Sequence, residues 1–160
     1  MRFTKPGLPS SFFFAVTLLA SQPVPAVAGG DGVAGIRFSP ASGVEANLVV
    51  RDHEVDVALT GARGSSTETI AVETEKTLKI KVEDYNFDGH KDFSVSHIDD
   101  GMGTYEIYQV YLYSDKEKKF VLLAPPCGDE FINLVLDKRA HTLINSYMVN
   151  NRYKTCKKKF

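Results

Sequence analysis

The stretch Thr77-Leu-Lys-Ile-Lys-Val-Glu-Asp84-Tyr-Asn86-Phe-Asp88-Gly89-His90-Lys-Asp92-Phe-Ser-Val-Ser96 decides how this chain reads. Both flanks alternate polar and apolar residues with a period of two, which is the pattern of half-buried strands and not of helices. Between them runs D-x-N-x-D-G-x-x-D, with oxygen side chains at positions 1, 3, 5 and 9 and glycine at the sixth. A hard cation such as calcium takes six to eight oxygens at about 2.3–2.6 Å. The spacing assigns side-chain oxygens to Asp84, Asn86 and Asp88, and the backbone carbonyl to His90. Asp92 then binds directly or through water. Gly89 permits a sharp turn that a Cβ resists. A helix–loop–helix calcium hand needs a bidentate acid at position 12, but Val95 stands there. The expectation is therefore a calcium loop between two strands. The competing reading is an Asx-rich turn that binds nothing. Three Asp, one Asn and the Gly in this order favour the metal, in a structural role, since no nucleophile adjoins it.

Working outward, further strand-like runs cover 47–50, 54–59, 68–73, 78–82, 93–98, 106–113, 120–123, 132–136 and 142–148. Turn signals separate them, and no segment shows a long 3.6-residue period. This predicts an all-β domain of short antiparallel hairpins, arranged as a small propeller-like ring or a sandwich. The run Tyr105-Glu-Ile-Tyr-Gln-Val-Tyr-Leu-Tyr113 is apolar on both faces, which predicts a central strand.

The chain opens with Arg2 and Lys5, a short apolar run over 12–20, and Ala26-Val27-Ala28. That is the form of a secretory signal peptide over 1–28, too short for a membrane span. Residues 29–44, rich in Gly, Ala, Ser and Pro, read as a flexible lead-in with an edge segment at 36–38. Residues 45–160 read as a single all-β domain. Loss of Arg2 and Lys5 leaves a net charge of −3, which gives no reason to expect nucleic acid. The basic stretch 152–159 reads as a solvated end, or as a contact for an acidic partner or membrane surface.

Export to the periplasm or beyond places Cys127 and Cys156, the only two cysteines, in an oxidising setting. They are expected to pair, stapling the C-terminal segment to the turn at Pro125-Pro126. Neither C-x-x-C nor H-x-x-x-H spacing occurs, and no G-x-S-x-G or H-E-x-x-H is present. The sequence is thus read as that of a binding protein, not an enzyme.

The calcium stretch is followed by a Gly-rich loop, then Tyr111-Leu-Tyr113-Ser-Asp115, Lys119-Phe120-Val121, and the segment 137–146. This ordered set resembles a family of small exported bacterial immunity proteins that protect against lysozyme-like toxins delivered by type IV secretion. It is also similar to periplasmic inhibitors of invertebrate-type lysozyme, and the calcium stretch alone resembles FG-GAP calcium loops. The resemblance implies an all-β fold, a bound calcium and a protein partner, a peptidoglycan hydrolase. The inhibitors carry a Ser-Gly-x-x-Tyr loop. Here Tyr105 matches, while Gly101 and Met102 replace the serine and the glycine. The expected contacts are His97, Asp99, Asp100, Thr104 and Tyr105, with hydroxyl donors reaching the paired carboxylates of the enzyme cleft. Two aspartates sit awkwardly against such a cleft. The alternative is a calcium-stabilised carbohydrate- or surface-binding module that uses exposed tyrosines.

Overall fold

Strands that are neighbours in sequence pair with one another, and the alternation of their apolar residues decides which face is covered. The computed structural model describes residues 35–160. The predicted signal peptide and residues 29–34 of the lead-in lie outside the described residues. Strands β1 (Ile36–Phe38), β2 (Val44–Arg51), β3 (Glu54–Gly61) and β4 (Gly64–Ala71) form one antiparallel sheet in that order. Strands β5 (Lys79–Glu83), β6 (Asp92–Ile98), β7 (Glu106–Ser114), β9 (Phe131–Asp137), β10 (Thr142–Val149) and β11 (Arg152–Lys159) form a second. Its order is β11-β10-β9-β7-β6-β5, and β8 (Lys119–Leu122) pairs with β7. Among the described residues there is no helix.

The first sheet is covered on one face only. Ala46 and Leu48 of β2 pair in register with Leu59 and Val57 of β3, and all four are buried. They pack against Phe93, Val95, Tyr111, Tyr113 and Phe120 of the second sheet, in one shared core. Of the two expected arrangements, this is the sandwich. Each fully buried Val, Leu or Phe side chain in this core contributes roughly 1.5–3 kcal/mol relative to exposure.

The second sheet is covered on both faces, as the apolar faces of β7 predicted. Its other face holds a second cluster of Tyr85, Val110, Phe131 and Leu143. This cluster closes because β7 forks: β8 pairs with residues 111–114, while β9 pairs with Ile107 and Tyr108 along the same edge. Beyond the fork the sheet curls back. Lys138, in the β9–β10 turn, reaches Glu83 at the end of β5, with Nζ 2.7 Å from Oε2. These strands lie far apart in the sheet order, so the ion pair marks how far the sheet wraps.

Two expectations about segments need correction. Residues 152–159 are largely exposed, as a solvated end would be, but they form strand β11, in register with the whole of β10. Asn150 and Asn151, both at positive φ (48° and 61°), form the two-residue hairpin turn. The exposed lysines blunt the free edge that this strand presents. Within the described part of the lead-in, Ile36–Phe38 is the expected edge strand on β2, and Val44 already belongs to β2 and not to a flexible segment.

Cys127 and Cys156 are joined as expected, with Cα atoms 6.4 Å apart. In the chain-entropy description, closing a loop of this length is worth roughly 3–4 kcal/mol. Buried Asn145, beside Cys156 in register, completes the fastening. Its Nδ2 donates to the carbonyls of Cys127 (2.9 Å) and Glu130 (3.0 Å), and its Oδ1 accepts from the Ile132 N–H at 2.7 Å.

Candidate functional site

The oxygen-rich loop joins β5 to β6, as the alternating flanks predicted. Its residues divide by parity. Tyr85 is buried in the second core, its hydroxyl 2.7 Å from Ser94 Oγ. Phe87 stacks on His141, with ring centroids 4.6 Å apart and planes at 9°. These interleaved aromatics clamp the loop to β6 and to the β9–β10 turn. They were missed in the sequence, although their alternation with Asp84, Asn86 and Asp88 was the available signal.

The acidic side chains turn the other way and fold the loop on itself. The Gly89 N–H donates to Asp84 Oδ2 (3.0 Å), the Asp88 N–H to Asn86 Oδ1 (3.2 Å), and the His90 N–H to Asp88 Oδ1 (2.8 Å). The Asn86 amide also donates to Asp88 Oδ2. Gly89 has φ of 88°, and a Cβ there would meet no atom within 4 Å, so its need is for the backbone conformation alone.

Asp92 anchors the far end. It is fully buried, and its two oxygens accept from the backbone N–H groups of Tyr85 (2.7 Å) and Tyr113 (2.8 Å). Burial pushes its carboxyl up to about 6; the two N–H donors oppose this, and the charges of Asp88 and Asp84 add to it.

One atom bears on the expectation of a metal. Asp84 Oδ1 is buried and has no hydrogen-bond partner among the described residues. A buried, unpaired carboxylate oxygen beside two further carboxylates is costly. A divalent cation coordinated by that oxygen, with Asp88, Asn86 and the His90 carbonyl, would satisfy the acceptor and offset the crowded negative charge. Asp92, which the spacing also assigned to the ion, has both oxygens taken by backbone N–H groups, and among the described residues no three His, Cys, Asp or Glu side chains are grouped as a metal site would group them.

The predicted partner contacts lie at the other end of β6, roughly 20 Å away at about 3.3 Å per residue. The loop between β6 and β7 does bring His97, Asp99, Asp100, Thr104 and Tyr105 into one region, but in different roles. His97 is buried, with Nδ1 3.0 Å from the Ile98 carbonyl. Asp99 folds the loop. Its carboxylate accepts from the N–H groups of Tyr105 (2.7 Å) and Gly103 (3.2 Å), and its own N–H donates to the Tyr105 carbonyl. Asp100 ties the loop to the segment after β4, accepting from the Glu75 N–H and the Thr74 hydroxyl, both at 3.1 Å. The Tyr105 amide first holds Asp99 below the usual carboxylate range, and the Glu75 amide does the same for Asp100. Both aspartates are therefore spent on bracing.

What faces outward is Gly101 to Thr104, with Met102 83% exposed, and the half-buried Tyr105. The Tyr105 ring lies beside that of Tyr153 on β11, at 6.2 Å and 23°. Asn133 braces this pair. It donates to the Tyr153 hydroxyl (2.7 Å), and its Oδ1 accepts from the Glu106 N–H (3.0 Å). Tyr153 and Asn133 were not foreseen, because pairing of β11 is what brings them to the loop.

No protein-family model, no curated protein and no solved structure matches this chain, so the reading of the site rests on its own geometry.

Proposed function

We propose that this chain is an exported, calcium-stabilised, non-catalytic binding protein. Its β6–β7 loop docks on a lysozyme-like peptidoglycan hydrolase and blocks it. The observation that carries the reading is that the Asp99 and Asp100 carboxylates are hydrogen-bonded to the loop and to the segment after β4. With both carboxylates engaged by backbone donors, the loop offers the Thr104 hydroxyl, the Tyr105 phenol and the Met102 side chain to a partner. Hydroxyl donors on a braced loop suit a cleft whose chemistry depends on a pair of carboxylates. Bracing before contact reduces the ordering entropy lost on binding. The disulfide is compatible with export, and among the described residues no helix is long and apolar enough to cross a membrane.

The aromatic pair Tyr105–Tyr153 favours a second reading, a calcium-stabilised carbohydrate-binding module, because an open ring face can stack on a sugar. One experiment separates the two. The mature protein, with calcium, is assayed against peptidoglycan hydrolases by turbidity of lysing cell walls, and in parallel on a glycan array. Inhibition that is lost in Met102→Ala and Tyr105→Ala supports the inhibitor. Glycan binding without inhibition replaces it with the second reading, and inhibition untouched by both substitutions refutes the assignment of the loop.

A further inference from the structure

A cleft of about 590 Å³ opens at the fork of β7, between the segment after β4 and the β8–β9 connection. Its floor includes His97 and Ile107, which pair across β6 and β7, and Gln109. Val72 and Leu123 add apolar walls, and the exposed Glu73, Asp129 and Glu130 stand at the rim. No Lys or Arg lines it. We propose that this cleft is a binding site for a small organic cation with N–H donors and an apolar body. The site does not depend on the docking role of the β6–β7 loop.

His97 carries the proposal. It is only 7% exposed, yet it lines the cleft. Its Nδ1 lies 3.0 Å from the Ile98 carbonyl oxygen. A carbonyl oxygen only accepts, so Nδ1 holds the ring proton, and in the neutral imidazole Nε2 is a bare acceptor. No hydrogen bond reaches Nε2 among the described residues. Nor is it one of the unpaired atoms closed off from solvent, which are Asn47 Oδ1, Asp84 Oδ1 and the Tyr113 hydroxyl. His97 therefore offers the cleft a reachable nitrogen that lacks a donor. A polar group set this deep without a partner calls for an explanation, and a ligand bearing N–H groups supplies one.

The charge of the rim selects the same ligand. Glu73, Asp129 and Glu130 make no ion pair among the described residues. A cleft lined by one sign of charge concentrates ligands of the other. Its walls are also braced before any ligand arrives. The Val72 N–H donates to the His53 carbonyl (2.8 Å), and Gln109 Oε1 accepts from the Tyr111 hydroxyl (2.7 Å). The segment that carries Asp129 and Glu130 is pinned by the disulfide and by Asn145. A preformed concave site of this volume, with apolar walls and a few convergent polar groups, has the form of a small-molecule site.

The ligand is thus defined by a cationic head that donates to His97 Nε2 near the rim carboxylates, and an apolar body over Val72, Ile107 and Leu123. The test is an NMR titration of the intact disulfide-bonded protein with benzylamine and benzamidine, using benzyl alcohol as the neutral control. Mildly alkaline buffer keeps imidazole neutral and amines charged. The amides of Glu73, Ile107, Gln109 and Glu130 are followed, together with the ring nitrogens of His97. Before ligand is added, the His97 proton should sit on Nδ1. Site-specific amide shifts are expected with at least one cation, the Nε2 resonance should move as that nitrogen accepts a hydrogen bond, and whichever cation binds tighter identifies the head group. Benzyl alcohol should bind at least about tenfold more weakly, as expected for loss of a charged hydrogen bond. Glu73→Gln combined with Glu130→Gln, both at exposed positions, should weaken cation binding severalfold and leave the His97 tautomer unchanged. A ring proton on Nε2, an Nε2 resonance that stays still, or amide shifts that are absent or confined to other regions would each overturn the proposal. Equal affinity for benzyl alcohol, or unchanged affinity in the double variant, would overturn it as well.

Discussion

Replacing Asp84 by Asn should change stability in opposite directions with and without calcium. In the protein without metal, Asp84 contributes a buried oxygen with no partner and a negative charge near Asp88 and Asp92. Asn keeps an acceptor for the Gly89 N–H, 3.0 Å from the present carboxylate, and removes the charge. In chelator the Tm of Asp84→Asn should therefore equal or exceed that of the parent. With calcium at a hundredfold excess over Kd, the parent gains about 2.7 kcal/mol. Unfolding entropy is about 2.1 cal/mol/K per residue, so a domain of about 125 residues gives about 0.26 kcal/mol/K, and the gain corresponds to about 10 °C. Asp84→Asn should lose most of this increment. The assay is thermal unfolding by circular dichroism, for both proteins, in calcium and in chelator. If the parent melts alike in both, or if the substitution lowers Tm equally in both, the loop is an Asx turn and the metal reading fails.

Two further outcomes follow from buried polar contacts. Asn145→Ala would strand the Ile132 N–H and the carbonyls of Cys127 and Glu130, costing about 2–4 kcal/mol by urea unfolding with an unchanged m value. A cost within experimental error would show that water replaces the amide. Glu106 accepts from the Tyr108 hydroxyl (2.7 Å) and from Ser96 (3.0 Å), and the Tyr108 bond above all holds its carboxyl below the ordinary 4.5. A carboxyl depressed in the folded state stabilises above its ordinary value, and that contribution is lost as pH falls through the folded value. The urea midpoint should therefore drop less steeply below pH 4.5 in Glu106→Gln than in the parent. Parallel acid limbs would exclude this contribution.

Much of this molecule was legible from local pattern. Period-two alternation gave the strands, because a pleated strand sends successive side chains to opposite faces. The doubly apolar run at β7 gave a central strand, and Tyr111 and Tyr113 on one face with Val110 on the other bear that out. The oxygen spacing of the loop is a local property, and its self-bonding needs only its own residues. Strand β11 escaped because its lysines lie on an exposed edge, where burial imposes no apolar alternation.

Everything that depends on which distant segments meet was decided by tertiary structure. Spacing alone could not choose between ring and sandwich, since that choice rests on which faces share a core. It could not show that Asp100 braces the loop, because its partners are Glu75 and Thr74, some 25 residues back in the chain. Nor could it reveal that His97 offers a bare nitrogen to a cleft, or that Asp84 keeps one bare oxygen. Satisfaction of a polar group is a property of all its neighbours at once, and only the closed fold brings those neighbours together.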